Sequence, residues 1–281
     1  MPNDPGLLRP SEAAATAAWA ALIDADAAQV ARVREPEPPG DYYAPLAAQF
    51  QPGNRATLEF PLIEPFARSG DTWLDIGAGG GRFAIPLSSR VSRVIAIEPS
   101  EAMRATLISA AAEAGSTNIE VHDQRWPAAG WSASADVSLA AHSIYDIREI
   151  APFLDAMERH TRRVCIAVFG DQARGASLAP LFEAVHGEPL AALPALREFI
   201  ALLGARGRRF DVATVAAEPP GVMSLDEAVS SARRLLWLAP GSAKEQRIRA
   251  LIDEWWRTSS GIALPVGRRY LGVVSWEPPR H

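Results

Sequence analysis

"WLDIGAGGGRFAIPL", residues 73–87, sets an acid near the end of an apolar run and follows it with four glycines in five positions. A short apolar run leading into a glycine-rich stretch and then a helical pattern reads as strand, turn and helix. That arrangement presents main-chain N–H groups and the positive end of a helix to a ligand. Gly77, Gly79, Gly80 and Gly81 therefore mark a place where something approaches the backbone closely.

Beyond this stretch, short apolar runs alternate with helical patterns. Strands are predicted near 72–76, 92–97, 118–122, 135–140 and 163–169, with helices near 80–90, 101–114 and 148–161. This rhythm implies crossover connections and a mainly parallel sheet. Farther on, "LREFIALLGARG" (196–207) reads as a helix ended by glycine, "RRFDVATVAAE" (208–218) as a strand, and "RYLGVVSW" (269–276) as a last strand. About 12–34, Trp19, Leu22, Ile23, Ala27, Val30 and Val33 fall at helical spacing behind Ser11 as cap. "REPEPPGDYYAPL" (34–46) breaks that helix, and a helical patch at 56–68 carries Leu58, Leu62, Ile63 and Phe66. Between the last two strands, "SLDE" (224–227) is a capping box opening one helix, and Ile248, Leu251, Ile252 and Trp255 mark another. An insertion of this length on a compact sheet usually covers something.

The composition of the 281 residues is that of a soluble globular chain, 48% hydrophobic and 22% charged, with net charge −5. Its Lys and Arg are scattered, so a nucleic-acid partner is not expected. No stretch approaches the roughly 18 apolar residues of a membrane span. The start has no cationic region ahead of its alanines, so a signal peptide is not expected and the cytoplasm is the default location. A single cysteine, Cys165 in "VCIAVF", excludes an internal disulfide and reads as core. His122, His160, His186 and His281 show no metal spacing with acids, and no metal is expected.

Glycine spacing alone does not name the ligand. A dinucleotide fingerprint started at Gly77 fails at Arg82, but "GGGRFA" from Gly79 satisfies it. An NAD-dependent oxidoreductase therefore stays open. The acids say more. Asp75 stands where it can accept from a cationic group, and Glu98 ends the next strand, "VIAIEPS", where it can accept both hydroxyls of a ribose. A diphosphate would be repelled by Asp75, whereas an ammonium would be held.

"DIGAGGGR" (75–82) followed by "VIAIEPSEAM" (94–103) resembles motif I and its successor in the class I S-adenosylmethionine-dependent methyltransferases. The resemblance spans about 56–276. It implies a Rossmann-like seven-stranded, mostly parallel α/β sheet with helices on both faces and a last strand inserted antiparallel between its neighbours. Residues 1–55 would form an N-terminal helical cap and 56–281 the methyltransferase domain, with a helical insertion at about 218–265.

The resemblance also implies roles. Asp75 would contact the ammonium of S-adenosyl-L-methionine, directly or through water, with Gly77, Ala78 and Gly79 beneath the methionine part. Glu98 would hold the ribose hydroxyls, Pro99 shape the turn beside them, and Met103 pack on the adenine. At the position where the family carries an acid for the adenine amine, "NIEVHDQRW" (118–126) has Arg125, with Trp126 next and Asp123 two residues early. Either Asp123 reaches round, or Trp126 lines the adenine pocket with its N–H toward the ring; the second is preferred.

After "ADVSLAA", His142 and Tyr145 leave the C-terminal end of the fourth strand, nearest the transferred methyl. An imidazole titrating near neutrality suits a general base for a hydroxyl acceptor, though His142 could equally contact the methionine part. The absence of "NPPY" or "DPPY" favours a small-molecule acceptor. Tyr42, Tyr43, Phe50, Trp237, Trp255 and Trp256 are aromatic candidates for its pocket. A non-catalytic S-adenosylmethionine-binding protein and a homodimeric assembly both stay open.

Overall fold

The computed structural model describes residues 10–37, 40–53, 57–173, 175–218, 221–267 and 269–279. Its centre is a seven-stranded sheet. In chain order the strands are β1 (Thr72–Ile76), β2 (Arg93–Ile97), β3 (Ile119–His122), β4 (Ala135–Ala141), β5 (Thr161–Gly170), β6 (Phe210–Ala217) and, after a two-residue ribbon of β7 (Arg257–Thr258) and β8 (Gly261–Ile262), β9 (Arg269–Trp276). They lie in the order β3-β2-β1-β4-β5-β9-β6. β9 runs antiparallel between β5 and β6, and every other pairing is parallel.

The central strands are buried on both faces, which is why they read as continuous apolar runs rather than alternating ones. One face packs Leu74, Ile76, Ile95 and Ile97 against α1 (Glu12–Val33), α5 (Ile150–Arg159) and α7 (Leu196–Ala205). The other packs Trp73, Val94, Val137 and Ile166 against α2 (Phe60–Ile63), α3 (Ala84–Ser88) and Leu107 of α4 (Glu101–Glu113). A satellite core joins α6 (Ala179–His186), α8 (Leu225–Leu235) and α9 (Ala243–Trp256) with Val33 at the end of α1. Among the described residues, no helix is long and apolar enough to cross a membrane.

Two local expectations are corrected. The patch at 56–68 shrinks to α2 and a 3-10 turn, Glu64–Phe66, because Pro61 and Pro65 fit only first-turn positions. The helix after the glycines covers only Ala84–Ser88, since residues 77–83 are spent on the turn. The amphipathic α1 lies on the sheet. Ser11 caps it by accepting from Ala14 N–H, Trp19 enters the central core, edge-on to Phe169 and Phe199, and its indole N–H donates to the Ile147 carbonyl at 2.9 Å.

Gly272 of β9 is needed for packing. A Cβ there would lie 2.5 Å from Leu196 Cδ2, where α7 begins against the sheet. Gly272→Val should lower stability by about 1–3 kcal/mol, read from the urea midpoint, through overpacking at this seam. An unchanged midpoint would show that α7 can slide freely on β9.

Candidate active site

The glycine turn is pinned to the sheet by its own main chain. Gly77 and Ala78 N–H both donate to the Ile97 carbonyl at 2.8 and 3.1 Å, and Gly79 N–H donates to Glu98 Oε2 at 2.8 Å. Gly77, Gly79 and Gly81 have φ of +76°, +56° and +93°, the left-handed region that glycine enters without strain. A Cβ on Gly79 would meet nothing within 4 Å, so the bare backbone there faces open space.

Asp75 and Glu98 flank this turn. Asp75 is 1% exposed and its Oδ2 has no hydrogen-bond partner. Burial, reinforced by the Glu98 charge, pushes its carboxyl up to about 7. Glu98 accepts from Ser100 N–H and Gly79 N–H; burial nonetheless outweighs those bonds and raises it above the usual carboxylate range. Two backbone donors leave lone pairs on Glu98, and Asp75 keeps an unsatisfied acceptor.

The chain ahead of α2 lies over this turn. Asp41 accepts from Ser100 Oγ at 2.8 Å and from Ala102 N–H at 3.3 Å at the start of α4. A Cβ on Gly80 would lie 2.5 Å from the Phe50 carbonyl oxygen, so only glycine admits that contact. Tyr42, Tyr43 and Phe50 stack in sequence, and Tyr42 reaches Trp237 in the insertion with ring centroids 6.2 Å apart. The aromatic residues expected near the acceptor thus divide. These four form one chain, while Trp255 and Trp256 pair with each other on α9.

Beyond β4, His142 holds φ +57°, unusual for a residue with a side chain, and its N–H donates to the Val168 carbonyl. Nδ1 lies 3.0 Å from Tyr145 Oη and Nε2 lies 3.0 Å from Glu59 Oε1, which also accepts from Arg82 at 2.6 Å. Glu59 was missed by sequence reading. An acid 83 positions from His142, in a proline-rich turn, carries no local signal of burial.

The adenine-side expectation changes. Trp126 is buried, but its N–H donates to the Phe153 carbonyl at 3.2 Å and its ring meets Trp131 and His160 edge-on in the core. That N–H is therefore taken, and the preferred reading of Trp126 is corrected: the ring fills the space between β3 and α5. Asp123 does not reach round either, being paired with Arg104 at 2.7 Å. Arg125 and Pro99 are exposed, and Met103 is buried in the first turn of α4. Cys165 is buried in β5 with its thiol pushed up to about 12 by burial, as a core residue should be.

Comparison with known families bears on the stretch that holds these two acids and the glycine turn. Residues 74–163 match a family model described as a methyltransferase domain.

Over that segment the chain is similar to methyltransferase domains.

The matched segment runs from β1 to the start of β5 and holds both acids and His142. No curated protein matches the chain in sequence. Similar solved structures include the BH2331 protein of Bacillus halodurans C-125, at 10% identity and TM-score 0.57, covering 80% of this chain and 99% of that one. The YcgJ protein of Bacillus subtilis is 14% identical at TM-score 0.54, covering 79% and 99%. The YjhP protein of E. coli is 14% identical at TM-score 0.52, covering 84% and 98%. At such identities the likeness is one of fold.

Proposed function

We propose that the protein moves the methyl group of S-adenosylmethionine to a small-molecule acceptor. The observation that carries this reading is the unpartnered Oδ2 of buried Asp75 beneath an open glycine backbone. Such an acceptor calls for a cationic donor, which an amino-acid ammonium supplies and a diphosphate does not. Asp75 would hold that ammonium and ionise as it does so. Gly77, Ala78 and Gly79 would lie along the methionine part, Glu98 would accept from the ribose with its free lone pairs, and Pro99 and Met103 would border the nucleoside. The bound cofactor supplies an electrophilic methyl on a sulfonium. The chain contributes orientation and exclusion of water, through the 40–53 segment that lies on Gly80 and Ser100 and through the insertion tied to it at Trp237.

Thermal shift with S-adenosylhomocysteine and with NAD, run side by side, tests the assignment. A ligand at roughly a hundred times its dissociation constant should add about 2.7 kcal/mol. Stabilisation by S-adenosylhomocysteine alone is expected; a response to NAD alone would overturn the reading in favour of an oxidoreductase.

A further inference from the structure

Glu59 stands at the start of α2 with its side chain fully enclosed. Burial alone would raise its carboxyl, yet the hydrogen bond from His142 and the Arg82 charge bring it below the ordinary glutamate range, so it is ionised at neutral pH. On the far side of the His142 ring, Tyr145 Oη accepts from Gly170 N–H at 2.7 Å. A backbone N–H can only donate, so the tyrosine hydrogen is available to His142 Nδ1. The ring proton then sits on Nε2 and is given to the carboxylate. For a singly protonated ring the directions are then Tyr145 O–H to His142 Nδ1 and His142 Nε2–H to Glu59. The left-handed backbone at His142 carries strain, which structures retain where the surroundings demand that geometry.

We infer that Glu59 is the positioning carboxylate of a Tyr145–His142–Glu59 proton relay, and that the methyl acceptor is a hydroxyl compound. The inference rests on the methyl-transfer reading above. A neutral amine attacks through a lone pair it already has and sheds its proton after the bond forms, whereas a hydroxyl must shed its proton as the new bond forms, and a relay of this polarity suits the second. Tyr145 Oη has one lone pair left to accept the acceptor's O–H. As that proton passes to Tyr145, the tyrosine proton passes to His142 Nδ1. The acceptor oxygen bonds the methyl carbon while the carbon–sulfur bond breaks with its electron pair remaining on sulfur. The proton thus ends on His142 as an imidazolium paired with Glu59, and is later lost to water. Burial pushes the Tyr145 hydroxyl up to about 12, so it stays protonated at rest and conducts rather than collects the proton. The charged groups around the relay are Glu59, Arg82, Asp171 and Arg269.

The test begins with ring-nitrogen NMR of the ligand-free full chain labelled at histidine, with His142 assigned through His142→Gln. The wild type should show the Nε2–H tautomer with Nδ1 accepting. Glu59→Gln should change the His142 Nε2 chemical shift, while S-adenosylhomocysteine affinity stays within twofold. On a panel of phenols, alcohols and amines, the wild type should methylate hydroxyls, and Glu59→Gln should reduce kcat about a hundredfold or more with KM little changed. Should Glu59→Gln fail to fold, Tyr145→Phe gives a second reading, since Nδ1 must lose its donor and change chemical shift. An Nδ1–H tautomer, an unmoved Nε2 shift in folded Glu59→Gln, an unmoved Nδ1 shift in Tyr145→Phe, or turnover of amines but not hydroxyls would each overturn the inference. A wild type that ignores S-adenosylhomocysteine would sink the methyl-transfer reading instead, and the NMR would still decide the relay.

Discussion

Asp75→Asn should make the ligand-free protein more stable above pH 7 and at the same time weaken S-adenosylhomocysteine binding by roughly tenfold or more. Both effects come from one buried carboxyl whose folded value is about 7 against an ordinary 3.8. Between those values the folded state keeps a proton that the unfolded chain has already released. Stability therefore falls as pH rises through that window and levels off above it. At about 1.36 kcal/mol per pH unit, the cost of holding Asp75 ionised reaches roughly 4 kcal/mol. Asparagine removes that cost but cannot pair with an ammonium. Thermal midpoints of both proteins from pH 4 to 9 should diverge as pH rises and converge near pH 4. Calorimetry below pH 7, in two buffers of different ionisation enthalpy, should show a proton released on ligand binding by the wild type and none by the variant. Parallel stability curves for the two proteins would show that Asp75 is satisfied by something other than its own proton.

Glu158→Ala should cost about 3 kcal/mol, the penalty for stripping Arg208 of its carboxylate and Arg206 of its one buried acidic partner. Glu158 closes α5 and accepts from Arg208 Nε and Nη2 at 2.7 Å each and from the Trp276 indole at 3.0 Å, with Arg206 at 3.3 Å. Arg206, 1% exposed, also binds Glu12 and Asp155. The cluster therefore ties α1, α5, the segment after α7 and the last residue of β9. Burial alone would raise the Glu158 carboxyl, but the two arginines and Trp276 hold it below the ordinary glutamate range. Its stabilising contribution is present above that ordinary value and is lost as pH falls through the lower, folded one. Urea unfolding at pH 7 should show the loss in full and at pH 3 only part of it. Replacing the cluster together, Glu158→Leu with Arg206→Met and Arg208→Leu, should recover most of the stability, because no charge is then left stranded. Equal losses in the single and triple variants would mean that packing, not charge, is what Glu158 supplies.

The resemblance carried by "DIGAGGGR" and "VIAIEPSEAM" placed Asp75 and Glu98 correctly at the ends of adjacent strands. β1 and β9 occupy the residues their patterns mark, because a strand buried on both faces must be apolar throughout and its ends must be punctuated. α6 left no such mark, since its burial partners are Val33, α8 and α9, all remote in sequence. Trp126 was misjudged for a related reason: a tryptophan at a strand end suits a ligand pocket and a core equally well, and only the position of Phe153 separates the two.

The sequence by itself determined the strand–turn–helix rhythm, the bare turn and its two acids, because these depend on side-chain size, backbone freedom and charge over a few neighbouring residues. Only the tertiary structure decided that Glu59 meets His142, that Asp41 and Phe50 lie over the glycines, and that Glu158 gathers two arginines. Those contacts join residues dozens of positions apart, and their energy comes from burial that no local pattern records.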